Sequence, residues 1–113
     1  MADHIKIRQA NGTWVVRAGG AVIAESNVAL ELTEGDLPPV IYFPRGDIAM
    51  AFLDATDETK RSAEMGEARY FTVVAKSATL ENAAWSYEDP AEAEARIKDH
   101  IAFSTAKVTV EQL

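Results

Sequence analysis

The pattern of apolar and polar positions predicts a chain built mainly from short β-strands. Apolar and polar residues alternate at His4–Arg8 and Ala29–Thr33, which is the period of a strand with one buried face. Segments rich in β-forming residues predict further strands at Thr13–Ala18, Ala21–Ala24, Val40–Phe43, Tyr70–Ala75, Leu80–Tyr87 and Lys107–Glu111. The run Val40–Phe43 is apolar throughout, as expected for a strand buried on both faces. We therefore predict a mainly β fold of compact antiparallel sheets.

Turn signals shape the rest of the first half of the chain. Asn11-Gly12 and Gly19-Gly20 favour tight turns with positive φ, which predicts an antiparallel meander in the first third. Asp47–Leu53 is compatible with a short helix capped by Asp47 or with a strand. Residues 55–66 are polar and predict a loop.

The segment at about residues 90–100 predicts one helix late in the chain. Asp89 suits the N-cap, Pro90 the first helical position, and Glu92 completes a capping box. Acidic residues come early in the segment and basic residues late, as the helix dipole favours. Ala93 and Ile97 supply a narrow apolar stripe.

Length and charge restrict the classes of function. The 113 residues predict a single domain, 1–113, and the start of the chain does not resemble a secretory leader. A net charge of −7 argues against nucleic acid and anionic membranes as partners, since phosphate binding needs a basic face. There are no cysteines and two histidines, so we expect no metal centre and no cofactor. We expect the protein to be located in the cytoplasm.

Two segments combine side chains that could bind a ligand. Arg45 and Asp47 follow the apolar strand, where Arg45 could hold a carboxylate or phosphate and Asp47 could orient it or act as a base. Alternatively, Arg45 pairs with an acidic residue on the surface and Asp47 only caps a helical turn. Alternation in the second segment places Asn82 on one strand face and Trp85 and Tyr87 on the other, as a pocket wall or as core.

His100 is the third candidate. It falls at the end of the predicted helix, where it could act as an acid, a base or a hydrogen-bonding group, or simply cap the helix. With Tyr42 from the apolar strand, the full ligand-binding prediction is Tyr42, Arg45, Asp47, Asn82, Trp85, Tyr87 and His100. Asp47 and His100 are also the candidate catalytic pair.

Five stretches resemble a bacterial family of uncharacterised proteins, domain-of-unknown-function family 427. They are Ala24–Ser26, Pro38–Ile48, Gly66–Ala68, Asn82–Pro90 and His100–Phe103. The resemblance implies a β domain of the β-tent type, related in shape to methionine sulfoxide reductase B domains, and implies no established activity. The family also carries a nucleotidyltransferase label, but this sequence has no Asp-x-Asp pair to hold the metal ions that such a reaction usually uses.

One loop departs from the family pattern. Where the family commonly has Cys-Pro-x-Lys-Gly, this chain has residues 62–66, with Ser62 in place of the cysteine and Met65 in place of the lysine. A role that needs that thiol or that amine is therefore in doubt here.

Three hypotheses of function follow from these residues. The first is a domain with a pocket for a small polar or anionic molecule. The second is an interaction or scaffold protein that acts as a homo-oligomer. The third is an enzyme that uses Asp47 and His100 as acid and base without a cofactor.

Overall fold

A computed structural model describes residues 4–63 and 65–113, with the backbone alone at position 93. It contains ten β-strands: β1 (Ile5–Gln9), β2 (Trp14–Ala18), β3 (Ala21–Ser26), β4 (Leu30–Glu34), β5 (Val40–Pro44), β6 (Leu53–Ser62), β7 (Gly66–Ala75), β8 (Ala78–Tyr87), β9 (His100–Phe103) and β10 (Thr109–Gln112). The start of the chain, on which the prediction about a secretory leader rests, and the side chain of Ala93 lie outside the described residues. The mainly β prediction is confirmed.

The strands form two antiparallel sheets. The large sheet has the order β1-β4-β5-β9-β8-β7-β6, and the small sheet has the order β10-β2-β3. An isolated bridge between Ala24 and Ile48 connects the small sheet to the loop after β5. The radius of gyration, 13.3 Å, is that of a compact globular domain of this length.

The two faces of the large sheet carry different side chains. One face packs against the small sheet and contributes Phe43, Phe71 and Phe103 to the larger core cluster, together with Val16 and Ile23 from the small sheet. The opposite face carries a second cluster that includes Tyr42, Trp85 and Tyr87 and is packed against Met65 and Ile97. The apolar run at β5 is buried on both faces, as predicted, because β5 lies between β4 and β9 inside the large sheet.

The N-terminal meander is only partly confirmed. Gly19 and Gly20 have φ values of 55° and 81° and join β2 to β3 in a hairpin, as expected. Gly12 also has positive φ, 82°, but β1 pairs with β4 and not with β2. The Asn11-Gly12 turn therefore carries the chain from one sheet to the other.

The prediction of one helix late in the chain is wrong. Residues Glu92–Ile97 form short 3₁₀ turns with a kink at Glu94, and no side chain caps their start. The segment is fixed by other contacts: Ala91 donates its N–H to the carbonyl of Met65 at 3.1 Å, and Arg96 donates to the carbonyl of Ile7 at 2.7 Å. Six residues give too few hydrogen bonds to offset the cost of helix nucleation, so packing against the sheet determines the conformation.

Two predictions for the middle of the chain also need correction. The polar loop at 55–66 is largely strand, because β6 continues to Ser62 along the edge of the large sheet. The segment 47–53 contains the last residue of one short 3₁₀ turn (Arg45–Asp47), a second such turn (Met50–Phe52) and the start of β6, and Asp47 makes no capping bond. In the part of the chain that the structure describes, no helix is long and apolar enough to span a bilayer.

Candidate functional site

The seven residues predicted to bind a ligand lie in several different surroundings. Three of them line one hollow: Tyr42, Trp85 and Tyr87. The other four make their contacts elsewhere: Arg45, Asp47, Asn82 and His100. A ligand-binding role remains a prediction for each of them.

Arg45 lies on the face of the large sheet that carries the phenylalanines. Its guanidinium donates to Glu88 at 2.9 Å and, at a longer 3.4 Å, to the hydroxyl of Ser86. It also lies 5.6 Å from the centre of the Phe71 ring. Since Ser86 comes between Trp85 and Tyr87 along the strand, its side chain points away from theirs. Arg45 and the hollow are thus on opposite faces.

Asp47 helps to connect the two sheets. Its carboxylate accepts a 2.6 Å hydrogen bond from the hydroxyl of Ser26, at the end of β3. The same hydroxyl accepts a 3.0 Å bond from the backbone N–H of Val28. Nearby, Ala49 donates its N–H to the carbonyl of Ile23 at 2.8 Å. In this structure Asp47 therefore has a clear connecting role.

Asn82 and His100 also have local partners. Asn82 has a φ of 51° at a β-bulge, where β8 gains residues relative to β7, and its amide oxygen accepts a 2.9 Å bond from Thr56. His100 begins β9 opposite Pro44, and its Nδ1 lies 2.9 Å from the carbonyl oxygen of Lys98. No hydrogen bond or ion pair joins His100 to Asp47, both of which the structure describes. The acid–base pair remains a prediction.

The hollow has a volume of about 330 Å³ and lies on the second face of the large sheet. The strand register places Tyr42 opposite Ala102, Ala102 opposite Trp85, and Trp85 opposite Tyr70. Directly opposed residues share a face, so these side chains form one row across four strands. Because Ala102 is small, the indole N–H of Trp85 reaches across it and donates a 3.2 Å hydrogen bond to the hydroxyl of Tyr42.

Tyrosine and phenylalanine are separated by the sheet. All three tyrosines of the chain line the hollow: Tyr42, Tyr70 and Tyr87. All four phenylalanines pack in or against the larger core cluster: Phe43, Phe52, Phe71 and Phe103. A dry core needs the ring but not the hydroxyl, whose burial requires a partner. The face with the hydroxyls is therefore suited to contact with polar atoms.

The hydroxyl of Tyr42 has an unused proton. An indole nitrogen can only donate, so this hydroxyl is the acceptor in its bond with Trp85. Among the described residues, no acceptor takes the Tyr42 proton. Tyr42 is only 2% exposed, and burial raises the pKa of its phenol well above the usual value, with a smaller raising effect of Tyr87 and Glu34. The proton is thus retained and available to an atom inside the hollow.

Tyr87 and Tyr70 add two further hydroxyls. Burial also raises the pKa of the Tyr87 phenol, and Tyr70 and Glu34 add to the effect. The hydroxyls of Tyr70 and Tyr87 make no hydrogen bond within the described part of the chain. The rings of Tyr70 and Trp85 are 6.3 Å apart and tilted by 42°, so they form an angled wall.

Charged side chains stand around the hollow. Lys60 and Arg61 line it from β6, and Glu34 lines it from β4. Glu34 lies 3.4 Å from the imidazole of His4. Lys60 and Arg61 form no ion pair with another described residue, whereas Arg45 on the other face is paired with Glu88. The hollow therefore has more free positive than negative charge.

The two positions at which the sequence departs from the resemblance lie on one side of the hollow. Both Ser62 and Met65 line it, and Met65 is 4% exposed. The hydroxyl of Ser62 accepts a 3.2 Å hydrogen bond from the backbone N–H of Met65. At positions 62 and 65 this chain thus has a hydroxyl bonded to the Met65 N–H and an apolar side chain that packs on the rings.

Sequence reasoning missed several residues of the hollow: Glu34, Lys60, Arg61, Met65 and Tyr70. One signal was available in the sequence. Tyr70 and Phe71 are adjacent in a predicted strand, and adjacent side chains on a strand point to opposite faces of the sheet, so these two rings must lie on different faces. Lys60 and Arg61 were missed because the sequence pattern predicted a loop, and not a strand, for the segment that forms β6.

Comparisons with known proteins complete these observations. Within the described residues, no group of three or more His, Cys, Asp or Glu side chains could hold a metal ion. No curated protein matches the chain. The sequence profile of one family, described as "Domain of unknown function (DUF427)", matches residues 6–112. The chain therefore belongs to domain-of-unknown-function family 427.

Proposed function

We propose that this protein is a binding domain for a small, flat, anion-bearing molecule, which it holds in the hollow lined by the three tyrosines. The observation that carries the proposal is the buried hydroxyl of Tyr42, which accepts a bond from Trp85 and whose own proton has no acceptor among the described residues. A buried donor without a partner is costly, and a ligand acceptor atom would remove that cost.

The hydrogen-bonding groups favour an acceptor-rich ligand. The phenols of Tyr42, Tyr70 and Tyr87 can donate, and Lys60 and Arg61 bring positive charge. The carboxylate of Glu34 and the hydroxyl of Ser62 are the opposing acceptors, and both already have partners. A carboxylate or phosphate group would satisfy the donors, with charge-assisted bonds.

The walls favour a flat ring. Trp85 and Tyr70 present an angled pair of aromatic surfaces, and Met65 packs on the same face. A volume of about 330 Å³ is at the low end of the range for small-molecule sites, roughly 300–1,000 Å³. A single aromatic ring with one acidic group matches that space.

This proposal uses three of the residues predicted from the sequence, Tyr42, Trp85 and Tyr87. The homo-oligomeric scaffold and the cofactor-free enzyme remain predictions. The β6 edge is a poor pairing surface for a second copy, because charged residues repeat along it.

The test uses benzoate as the probe and the two indole N–H signals of the protein in ¹H–¹⁵N NMR spectra. The chain has two tryptophans. The Trp85 indole lies in the hollow, whereas the Trp14 indole donates to the carbonyl of Asn11 at 2.9 Å and serves as the internal reference. Benzoate should shift the Trp85 signal and leave that of Trp14 in place. Benzamide, which lacks the charge, should bind more weakly.

Variants identify the groups that bind. Tyr42→Phe should weaken benzoate binding about tenfold or more, since a hydrogen bond to a charged group contributes about 1.5–3 kcal/mol. Lys60→Gln should weaken it by about twofold to fivefold at low salt, as for an exposed charge. Lys76→Gln, an exposed lysine in the turn between β7 and β8, is the matched control and should bind as the wild type does.

Two results would contradict the proposal. One is a Trp85 shift with benzyltrimethylammonium and none with benzoate, because the rings and Glu34 would then bind a cation. The other is equal benzoate affinity in the wild type and Tyr42→Phe.

A further inference from the structure

A second hollow, which we call the groove, lies at the end of β9 and the start of β5. It has a volume of about 600 Å³ and opens between the two sheets. Its walls are mostly apolar and include Trp14, Leu37, Pro38, Phe103 and Val110. Leu37 is 62% exposed, so this part of the apolar wall is in contact with solvent.

The groove is electrically neutral. Among its lining residues only Glu31 carries a charge. That carboxylate accepts a 2.6 Å bond from the guanidinium of Arg8 and is therefore already paired. The hollow, in contrast, is lined by Lys60 and Arg61, which form no ion pair within the described part of the chain. The two spaces thus suit different chemical groups, the groove an apolar one and the hollow an anionic one.

The two spaces share two wall residues, Trp85 and Val40. The reason lies in the strand pairing. In the described ladders β9 pairs with β5 only as far as Tyr42, and Val40 pairs with Leu32 on its other side alone. Beyond Phe103 the chain stays with β8, where Ser104 donates its N–H to the carbonyl of Ala83 at 2.7 Å. The large sheet therefore parts beside Val40, and Trp85 borders the hollow on one side and the groove on the other.

We propose that the ligand is amphipathic, with its acidic ring in the hollow and an apolar chain that passes Trp85 into the groove. This inference rests on the proposed function and narrows the ligand class to aromatic acids with an alkyl or aryl extension. The hollow matches a single ring with one acidic group, and the adjoining groove shares Trp85 and Val40 with it. Among the lining residues of the groove, no unpaired charged side chain is present to bind a second ionic group.

A series of 4-alkylbenzoates tests the inference, with ethyl, butyl and hexyl chains at concentrations below self-association. Each methylene that enters the groove should strengthen binding up to about fourfold, the value for a fully buried methylene. The Trp14 indole signal, silent with benzoate, should shift with the longer chains because Trp14 lines the groove.

Leu37→Glu separates the two parts of the site. It should abolish the gain from chain length and leave benzoate affinity unchanged, because Leu37 lines the groove and not the hollow. Leu113→Glu is the matched control, since Leu113 is similarly exposed at 67% and lies outside the groove. It should retain the dependence on chain length.

The outcomes distinguish this inference from the proposed function. If benzoate binds and Tyr42→Phe weakens it, but affinity is flat along the series and Trp14 is silent, the inference is wrong and the proposed function stands. If long chains bind with equal affinity in the wild type and Tyr42→Phe while benzoate does not bind, the proposed function is wrong and the inference fails with it. If light scattering shows a dimer that Leu37→Glu dissociates, a second copy occupies the groove and the inference is overturned.

Discussion

The hydrogen bond between Trp85 and Tyr42 should couple the two side chains energetically. It spans 3.2 Å across Ala102, and its acceptor is buried while Trp85 is partly exposed. Tyr42→Phe removes the acceptor and leaves the indole N–H without a partner. A net hydrogen bond contributes about 0.5–1.5 kcal/mol, and water in the hollow can replace part of the loss. We therefore expect Tyr42→Phe to destabilise the protein by about 1 kcal/mol.

A double-mutant cycle isolates this bond from the loss of ring contacts. Trp85→Phe should cost more than Tyr42→Phe because it also removes buried apolar area. The double variant should be less destabilised than the sum of the single variants by about 1 kcal/mol, since the bond can be lost only once. Urea unfolding followed by far-ultraviolet circular dichroism is the assay, because it does not depend on tryptophan fluorescence.

A second cycle provides the control. The indole of Trp14 donates to the carbonyl of Asn11, so Trp14→Phe and Tyr42→Phe share no bond. Their effects should add within about 0.5 kcal/mol. If the Trp85 cycle is equally additive, the bond makes no net contribution and the argument for an oriented Tyr42 hydroxyl fails.

Four further predictions concern stability. Burial raises the folded-state pKa of Tyr42 and Tyr87, so their contribution to the free energy of unfolding is full below the unfolded-state pKa of about 10 and falls as the pH rises above it. Urea unfolding should therefore give a lower free energy of unfolding at pH 11 than at pH 8, and equal values would refute this. Ala102→Leu should cost about 1–3 kcal/mol and shift the Trp85 indole N–H signal, because the added bulk separates the two bonded groups, and an unchanged NMR signal would contradict this. Phe43→Ala should cost about 3–5 kcal/mol in thermal or urea unfolding, since Phe43 is fully buried in the larger core cluster, and a loss below 1 kcal/mol would be inconsistent with that position. Gly20→Ala should lower the urea midpoint by the equivalent of about 1 kcal/mol, because φ at this position is 81° and the space around it is open, so the cost is backbone strain alone. Gly20→Asn should cost less, since asparagine adopts positive φ more readily than alanine, and equal losses would argue against backbone strain.

Local sequence pattern predicted the strands that have one buried face or two. At β7 and β8 the composition is strongly β-forming, and both strands lie inside the large sheet. The same rule failed for β6, whose exposed edge position leaves polar residues on both faces. It also failed for β9, which has four residues and follows a segment with helix-like charges. Edge strands and short buried strands are determined by their neighbours in the sheet and have weak local signals.

The candidate site was found in part for the same reason. Alternation along β8 correctly placed Trp85 and Tyr87 on one face, because that information is local. The same alternation would also put Ala83 on this face, but the bulge at Asn82 moves Ala83 into the larger core cluster. That Tyr42 and Tyr70 join this face depends on the register of β5, β9, β8 and β7, which no local pattern contains.

The position of β9 has a consequence for biosynthesis. Within the large sheet, β9 lies between β5 and β8, so backbone pairing in the described strands joins β1, β4 and β5 to β6, β7 and β8 only through residues 100–103. A nascent chain that lacks these residues would present two unpaired strand edges, each able to pair with another chain. Molecular chaperones that shield such edges on the ribosome would therefore be most valuable until His100–Phe103 has left the exit tunnel.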